Sequence, residues 1–341
     1  MRKNIDILFV ILLFFASVTA CRRDKYYANV SGIKVNIQVN RLENDLFSTD
    51  PATIPMSAKA LADRYGKFLQ YFSYVINIGE VKDSLWKDGL LRFCTDKLNN
   101  EVYGAVRDKF EDIRDIEKGL TEAFRHYLYY FPGKVVPSVY TCITGFNNSI
   151  IVGDSVLGIG LDRYLGKECR YYTMLGLYNY QVLKMSREYI VPDAVYAWIS
   201  SEWDYSSAGY DPDNVLSEII HEGKLLYLKK CMLPDLKDEL IFGFTTEQLS
   251  FCKKNEGMMW QYMIENNLLF SSDQLTRKKL TGEAPFTTYF TMESPGRAAA
   301  WIGFRIVEAY MRNNRGVAPD ELMNERDTQT ILAGARYSPR V

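Results

Sequence analysis

The residues best suited to chemistry lie at positions 221–225, where the sequence reads HEGKL. Two histidines one helical turn apart can bind a zinc ion, and a glutamate directly after the first can then deprotonate a metal-bound water. In this chain Leu225 occupies the second ligand position, and leucine cannot bind zinc. The chain has only one other histidine, His126. A site with three histidine ligands is therefore excluded.

Glu256 is the second candidate, because a glutamate on a later helix supplies the third ligand in some sites of this type. Apolar residues at helical spacing place Glu256 on the apolar stripe of its predicted helix: Leu249, Cys252, Met259, Trp260 and Met263. Glu222 lies on a similar stripe. A carboxylate that faces a protein core costs several kcal/mol unless it is paired or bound.

Two interpretations of these carboxylates follow. In the first, His221 and Glu256 are ligands of a zinc ion with unusual ligation, and Glu222 is the base. In the second, Glu222 and Glu256 form buried ion pairs with Arg297 or Arg305, which hold the helices together. The ligand count favours the ion pairs, so we predict no catalytic residue and no cofactor.

Three predicted helices carry these residues. The first begins at Asp211-Pro212, with aspartate as N-cap, and ends before Pro234. The second begins with a capping box at residues 245–248 and runs to about Asn266. The third begins at Ser294-Pro295 and runs to about Asn313.

The rest of the chain predicts further helices and a small sheet. Apolar residues recur at helical spacing through residues 57–130, and strict alternation at 33–39 predicts an amphipathic strand. Residues 135–144 and 150–159 are rich in β-formers and flank a turn sequence, which predicts a hairpin. We therefore expect an α+β fold, with one mainly helical domain at residues 32–341 and a small β-sheet.

The start of the chain is typical of an exported lipoprotein. Arg2 and Lys3 precede ten consecutive apolar residues at 7–16, a run too short to span about 30 Å of hydrocarbon. Small residues then lead to Cys21. We predict a signal peptide at residues 1–20, lipidation of Cys21, and a lipidated tether at residues 21–31. Multiple acyl chains make such an anchor effectively permanent.

Composition excludes a nucleic-acid partner. Without Arg2, Lys3 and Asp6, the 41 basic and 42 acidic residues leave a net charge of about −2, with no basic stripe. Besides Cys21 there are five cysteines and no CxxC pair, which favours buried free thiols.

Several segments resemble the GldB family of gliding motility-associated lipoproteins from the Bacteroidetes. The resemblance spans nearly the whole mature chain in order and includes Gly158–Gly166, Tyr189–Asp193 and Gly223–Tyr227. Its most specific match is Glu293–Arg297 with Trp301–Gly303. The family is in turn distantly similar to HExxH zinc peptidases, which implies a degenerate zincin-like fold here. His221, Glu222 and Glu256 would be relics of a metal site.

The resemblance implies a lipoprotein associated with the cell envelope. The residues directly after Cys21 lack an aspartate at the next position and an acidic pair, as in lipoproteins on the periplasmic side of the outer membrane. With Leu225 in place of a ligand, we expect the protein to act without catalysis through protein partners in the envelope. A zinc metallopeptidase that uses His221 and Glu256 is the alternative. A third possibility is a periplasmic ligand-binding module with an aromatic cleft near the tyrosines at 171–180.

Overall fold

The computed structural model describes residues 26–340 of the chain. The predicted signal peptide, Cys21 and the first residues of the predicted tether lie outside the described residues. Within that range the chain forms a mainly helical α+β domain with one small sheet, as the sequence predicted. No helix in the described range is long and apolar enough to cross a membrane.

The sheet has four strands in the order β1-β2-β4-β3. Their bounds are β1 (Val39–Arg41), β2 (Ser138–Cys142), β3 (Ile150–Gly153) and β4 (Val156–Gly160). β1 pairs parallel with β2 and β2 pairs parallel with β4, whereas β3 and β4 are antiparallel.

The predicted hairpin is wrong in its pairing. The hairpin joins β3 to β4 through a turn at Asp154-Ser155, while β2 lies parallel to β4. Asp162 explains why the chain after β2 does not turn back on it. Its buried carboxylate accepts hydrogen bonds from the backbone N–H groups of Thr144 at 3.1 Å and Phe146 at 2.6 Å. These bonds hold the connecting loop against the end of β4.

The predicted strand at 33–39 is mostly absent, because β1 contains only residues 39–41. Here the backbone N–H groups donate hydrogen bonds to side chains of the helix at Arg114–Tyr130 and not to a neighbouring strand. The N–H of Ile37 donates to Thr121 Oγ1 at 2.9 Å, and the N–H of Val39 donates to Glu117 Oε1 at 3.0 Å.

Five helices belong to the first half of the chain. They are α1 (Leu42–Phe47), α2 (Ile54–Val75), α3 (Trp86–Thr95), α4 (Lys97–Lys109) and α5 (Arg114–Tyr130). The first three pack on one face of the sheet and enclose a small core that contains Phe68, Phe72 and Trp86.

The second half of the chain, together with α4 and α5, forms the larger core on the other face. Its helices are α6 (Arg170–Met174), α7 (Asn179–Val182), α8 (Ile190–Glu202), α9 (Tyr205–Ala208), α10 (Val215–Met232), α11 (Asp238–Phe242), α12 (Thr246–Glu265), α13 (Gln274–Thr281), α14 (Ala298–Asn313), α15 (Pro319–Asn324) and α16 (Thr328–Ala335). Successive side chains of β4 point to opposite faces of the sheet, so Val156 packs in the small core and Leu157 in the larger one.

Helices α10 and α14 pack closely at the centre of the larger core. A Cβ on Gly303 would lie 1.7 Å from the carbonyl oxygen of Ile219, and one on Gly223 would lie 2.3 Å from the backbone of Gly303. Only glycine at both positions allows the two backbones to approach this closely. This crossing positions the charged side chains described below.

The ends of the central helices differ in part from the sequence prediction. Helix α12 begins with the predicted capping box, in which Thr245 and Gln248 exchange hydrogen bonds. Helix α10 begins later than predicted, because the side chain of Asn214 accepts from the N–H of Ser217 and forms the cap. Helix α14 also begins later, after Arg297.

Candidate functional site

Glu222 lies in the middle of α10 and faces α8 and the start of α14. The Tyr196 hydroxyl lies 2.9 Å from Oε1 and 2.8 Å from Oε2 of Glu222, and Arg297 Nη2 donates to Oε1. The Glu222 side chain is only 15% exposed. A carboxylate withdrawn from water requires such partners, so Tyr196 and Arg297 together compensate its charge.

Arg297 extends this contact into a network. It occupies the N-cap position of α14 with a left-handed backbone conformation, at φ 62°. Its Nη1 donates to Glu283 Oε1 at 3.0 Å, and Lys184 Nζ donates to the other oxygen of Glu283 at 2.9 Å. Burial acts to lower the pKa of Arg297, but Glu222, Tyr196 and Glu283 outweigh it and raise that pKa. Arg297 therefore stays charged and joins α10 to the segment before α14.

Glu256 forms a second, separate cluster on the other side of α14. Trp301 Nε1 donates to Oε2 at 3.3 Å, Arg305 Nε lies 3.1 Å from the same oxygen, and the Tyr337 hydroxyl donates to Oε1 at 2.9 Å. Arg305 also donates to Glu308. The cluster ties α12, α14 and the C-terminal segment together.

His221 belongs to a third environment. Its Nδ1 lies 2.9 Å from the hydroxyl of Tyr210, and the rings of Tyr205 and Tyr210 meet the imidazole edge-on. Burial, reinforced by the nearby charge of Lys224, lowers the pKa of His221 to about 4. The imidazole is therefore neutral at pH 7 and acts as a hydrogen-bonded core side chain.

The three candidate residues thus contact three different sets of neighbours. Leu225 is buried in the larger core, and His126 Nδ1 lies 3.0 Å from the carbonyl oxygen of Glu122 on its own helix. Across residues 26–340, no group of three or more His, Cys, Asp or Glu side chains is placed to hold a metal ion. The geometry therefore gives His221 and Glu256 hydrogen-bonded roles in separate clusters.

The tyrosines of the predicted aromatic cleft divide between core and surface, and Tyr180 lines a small cavity with Tyr189 and Phe244. Tyr171 and Tyr172 are buried against Phe146, and Tyr178 stacks on Tyr180 at the surface. The thiols of Cys94, Cys142, Cys169 and Cys252 are free, and among the five described cysteines Cys169 alone is not fully buried.

A charged cavity of about 370 Å³ lies beside the Arg297 network, and sequence reasoning did not find it. It is lined by residues of several elements, among them Arg163, Lys184, Asp193 and Lys229. One available signal was Lys229, a lysine at helical spacing from the apolar residues Leu225, Leu226 and Met232.

The fold and these clusters define a mainly helical α+β protein whose central helices are joined by buried charged side chains. The family model for gliding motility protein GldB matches residues 23–339. The chain therefore belongs to the GldB family of gliding motility proteins, as its sequence segments predicted. No curated protein and no solved structure matches it. The degenerate zincin-like fold stays a prediction.

Proposed function

We propose that this protein is a GldB-type lipoprotein of the outer membrane, anchored through Cys21. The domain faces the periplasm and acts without catalysis by binding envelope proteins. The observation that carries the proposal is the family match over nearly the whole chain. The signal-like start of the sequence and the small residues before Cys21 support the anchor.

The first described residues support a short connection between anchor and domain. Tyr26 is buried, its ring lies 5.4 Å from that of Tyr227, and its hydroxyl donates to Glu308 Oε1 at 2.5 Å. Five residues of extended chain reach at most about 18 Å. A lipid on Cys21 would therefore hold the domain close to the membrane surface.

The contacts of the candidate metal ligands support a role without catalysis. Glu222 and Glu256 are each compensated by an arginine, and His221 is hydrogen-bonded to Tyr210. Their places in separate clusters explain why these polar residues lie on apolar helix faces without requiring a metal. The metallopeptidase alternative requires these residues to leave their present partners and meet at one ion.

An exposed apolar surface on α12 supports protein contacts. Met258 and Tyr262 lie one turn apart, and the Tyr262 ring lies 6.1 Å from that of Phe290. Met292, two residues further on, is 81% exposed. We call Met258, Tyr262, Phe290 and Met292 the α12 patch. Phe290 is half-buried, and exposed apolar side chains gathered around such a ring mark protein-binding surfaces.

The anchor is tested by cell fractionation of the host that expresses the full chain with Cys21→Ser. We expect loss of palmitate labelling and release of the protein from the membrane fraction. Cys169→Ser is the matched control, since it removes a thiol that is not fully buried and should leave the protein in the membrane. A Cys21→Ser protein that stays in the membrane after high-salt washing would contradict the anchor.

Protein binding is tested with the double variant Met258→Lys and Tyr262→Ser in a deletion strain. We expect the variant to fold, to lose cross-linked envelope partners and to fail to restore the deletion phenotype. Met174→Lys on α6 is the control, because Met174 is also an exposed apolar residue and lies outside the α12 patch. Full complementation and unchanged cross-links in the double variant would contradict a role for this surface.

A further inference from the structure

The cavity beside Arg297 contains more positive than negative charge. Its lining includes four basic side chains, Arg163, Lys184, Lys229 and Arg297, and two acidic ones, Asp193 and Glu283. Its volume of about 370 Å³ lies at the lower end of the range for small-molecule sites. Because the lining residues come from both halves of the chain, folding creates this charge surplus.

Two of the four cations are already paired. Lys184 and Arg297 share the carboxylate of Glu283, and Arg297 also binds Glu222. Within residues 26–340, the other two donate to uncharged oxygens only. Arg163 contacts Ser149 Oγ and the carbonyl oxygen of Phe146, each at 3.3 Å. Arg163 and Lys229 are therefore the cations that an incoming anion would neutralise.

Lys229 lies deep in the cavity wall and is 5% exposed. Its Nζ donates to the carbonyl oxygen of Ile241 at 2.9 Å and to that of Leu240 at 3.3 Å. It lies 5.6 Å from the centroid of the Tyr196 ring, and the Arg297 guanidinium lies 5.9 Å from the same centroid. Burial lowers the pKa of Lys229 to about 8, and the charge of Asp193 acts in the opposite direction.

Asp193 does not cancel this charge by direct contact. Its Oδ2 accepts from the Tyr164 hydroxyl at 3.0 Å, and Lys229 attracts its charge electrostatically. Burial raises the pKa of Asp193, while Lys229 lowers it. The space between these groups is bounded by the apolar side chains of Leu226 and Ile241 and by the ring of Tyr196.

We propose that this cavity binds a small organic anion through a carboxylate, with Lys229 and Arg163 as the recognising cations and the apolar wall in contact with the carbon chain. The carboxylate can belong to a free dicarboxylate or to the C-terminus of a short peptide. This binding site is independent of the lipid anchor and of the α12 patch.

Binding is measured by titration calorimetry on the full-length lipoprotein in detergent, with glutarate, inorganic phosphate, and the peptide Ala-Ala-Ala with either a free or an amidated C-terminus as probes. We expect saturable binding of glutarate at millimolar concentration or below. Tighter binding of the free-acid peptide than of glutarate, with none of the amide, would identify a chain end as the source. Stronger binding of glutarate would identify a free dicarboxylate.

Two variants test the assigned cations. Lys229→Met keeps the buried stem and removes the charge, and Arg163→Gln does the same at a half-buried position where folding is less at risk. Each should weaken binding by roughly tenfold or more. Lys67→Met, which changes an exposed lysine on α2, is the control and should bind as the wild type does.

The proposal is overturned if no carboxylate probe binds saturably, or if phosphate alone binds, which would indicate an adventitious ion only. It is also overturned if Arg163→Gln, shown by its circular dichroism to be folded, binds glutarate as tightly as the wild type. Loss of membrane attachment in Cys21→Ser should leave glutarate binding unchanged.

Discussion

Neutralising one member of the Glu222–Arg297 pair tests whether the ion pair holds α10 to the start of α14. Arg297→Met keeps most of the apolar stem and leaves Glu222 with the Tyr196 hydroxyl as its remaining donor. Glu222→Gln keeps the side-chain shape and leaves Arg297 with Glu283. The double variant removes both charges, so the four proteins form a thermodynamic cycle.

The expected magnitudes follow from burial and from the partners that remain. The two side chains are 15% and 19% exposed. Leaving a buried charge without its partner costs about 3–5 kcal/mol. Because Tyr196 still donates to Glu222, we expect the lower end, about 3 kcal/mol, for Arg297→Met. Glu222→Gln should cost about 2 kcal/mol, since Glu283 still compensates Arg297. The double variant should cost about 1–2 kcal/mol less than the sum of the two.

Urea unfolding followed by circular dichroism measures these free energies. Lys67→Met is the control, because the Lys67–Asp154 pair has side chains that are 67% and 75% exposed. Exposed pairs contribute at most about 1 kcal/mol, so this change should be nearly neutral. Single-variant effects as small as that of the control, or effects that add fully in the double variant, would refute a stabilising pair.

Three further predictions concern packing, pH and the N-terminal segment. Gly303→Ala should destabilise the fold by about 3 kcal/mol in urea unfolding, because its Cβ would meet a backbone oxygen. Gly104→Ala in α4 is the control; its Cβ meets open space, and the change should stabilise the fold by about 0.5–1 kcal/mol. Equal effects of the two changes would contradict the close helix crossing. The depressed pKa of His221 means that the folded state binds fewer protons than the unfolded state, whose histidine pKa is about 6.5. The free energy of unfolding should therefore be highest above pH 6.5 and fall by up to about 3 kcal/mol towards pH 4. This pH-dependent loss should vanish in His221→Gln, and an unchanged pH profile in the variant would contradict the prediction. Tyr26→Ala should release the segment before β1 and so increase the rate of tryptic cleavage at Lys34. An unchanged cleavage rate would show that Tyr26 does not hold this segment against the domain.

The helical part of the fold was accessible from sequence because its signals are local. The capping box at Thr245 and the glutamine three residues later marks the start of α12 directly. The pairing of the strands was not accessible in the same way. The carboxylate of Asp162 holds the loop after β2 through contacts that cross 16–18 residues of chain, and no local pattern announces them.

The carboxylates of the candidate site could be recognised as residues in need of partners, because each lies on an apolar helix stripe. Which arginine each would meet could not be read from the chain. Glu222 meets Arg297 and Glu256 meets Arg305 because α10 and α12 pack on different sides of α14. The cavity at Lys229 depends on residues from positions 149 to 297 that converge only after folding.

The zinc content of the full-length lipoprotein tests the central claim of a role without catalysis most directly. The protein is purified in detergent without chelators or metal-binding tags, and zinc is measured by mass spectrometry in the wild type and in His221→Gln. We predict far less than one zinc per chain in both proteins. Close to one zinc per chain in the wild type, lost in a folded His221→Gln protein, would contradict the account and support the metallopeptidase.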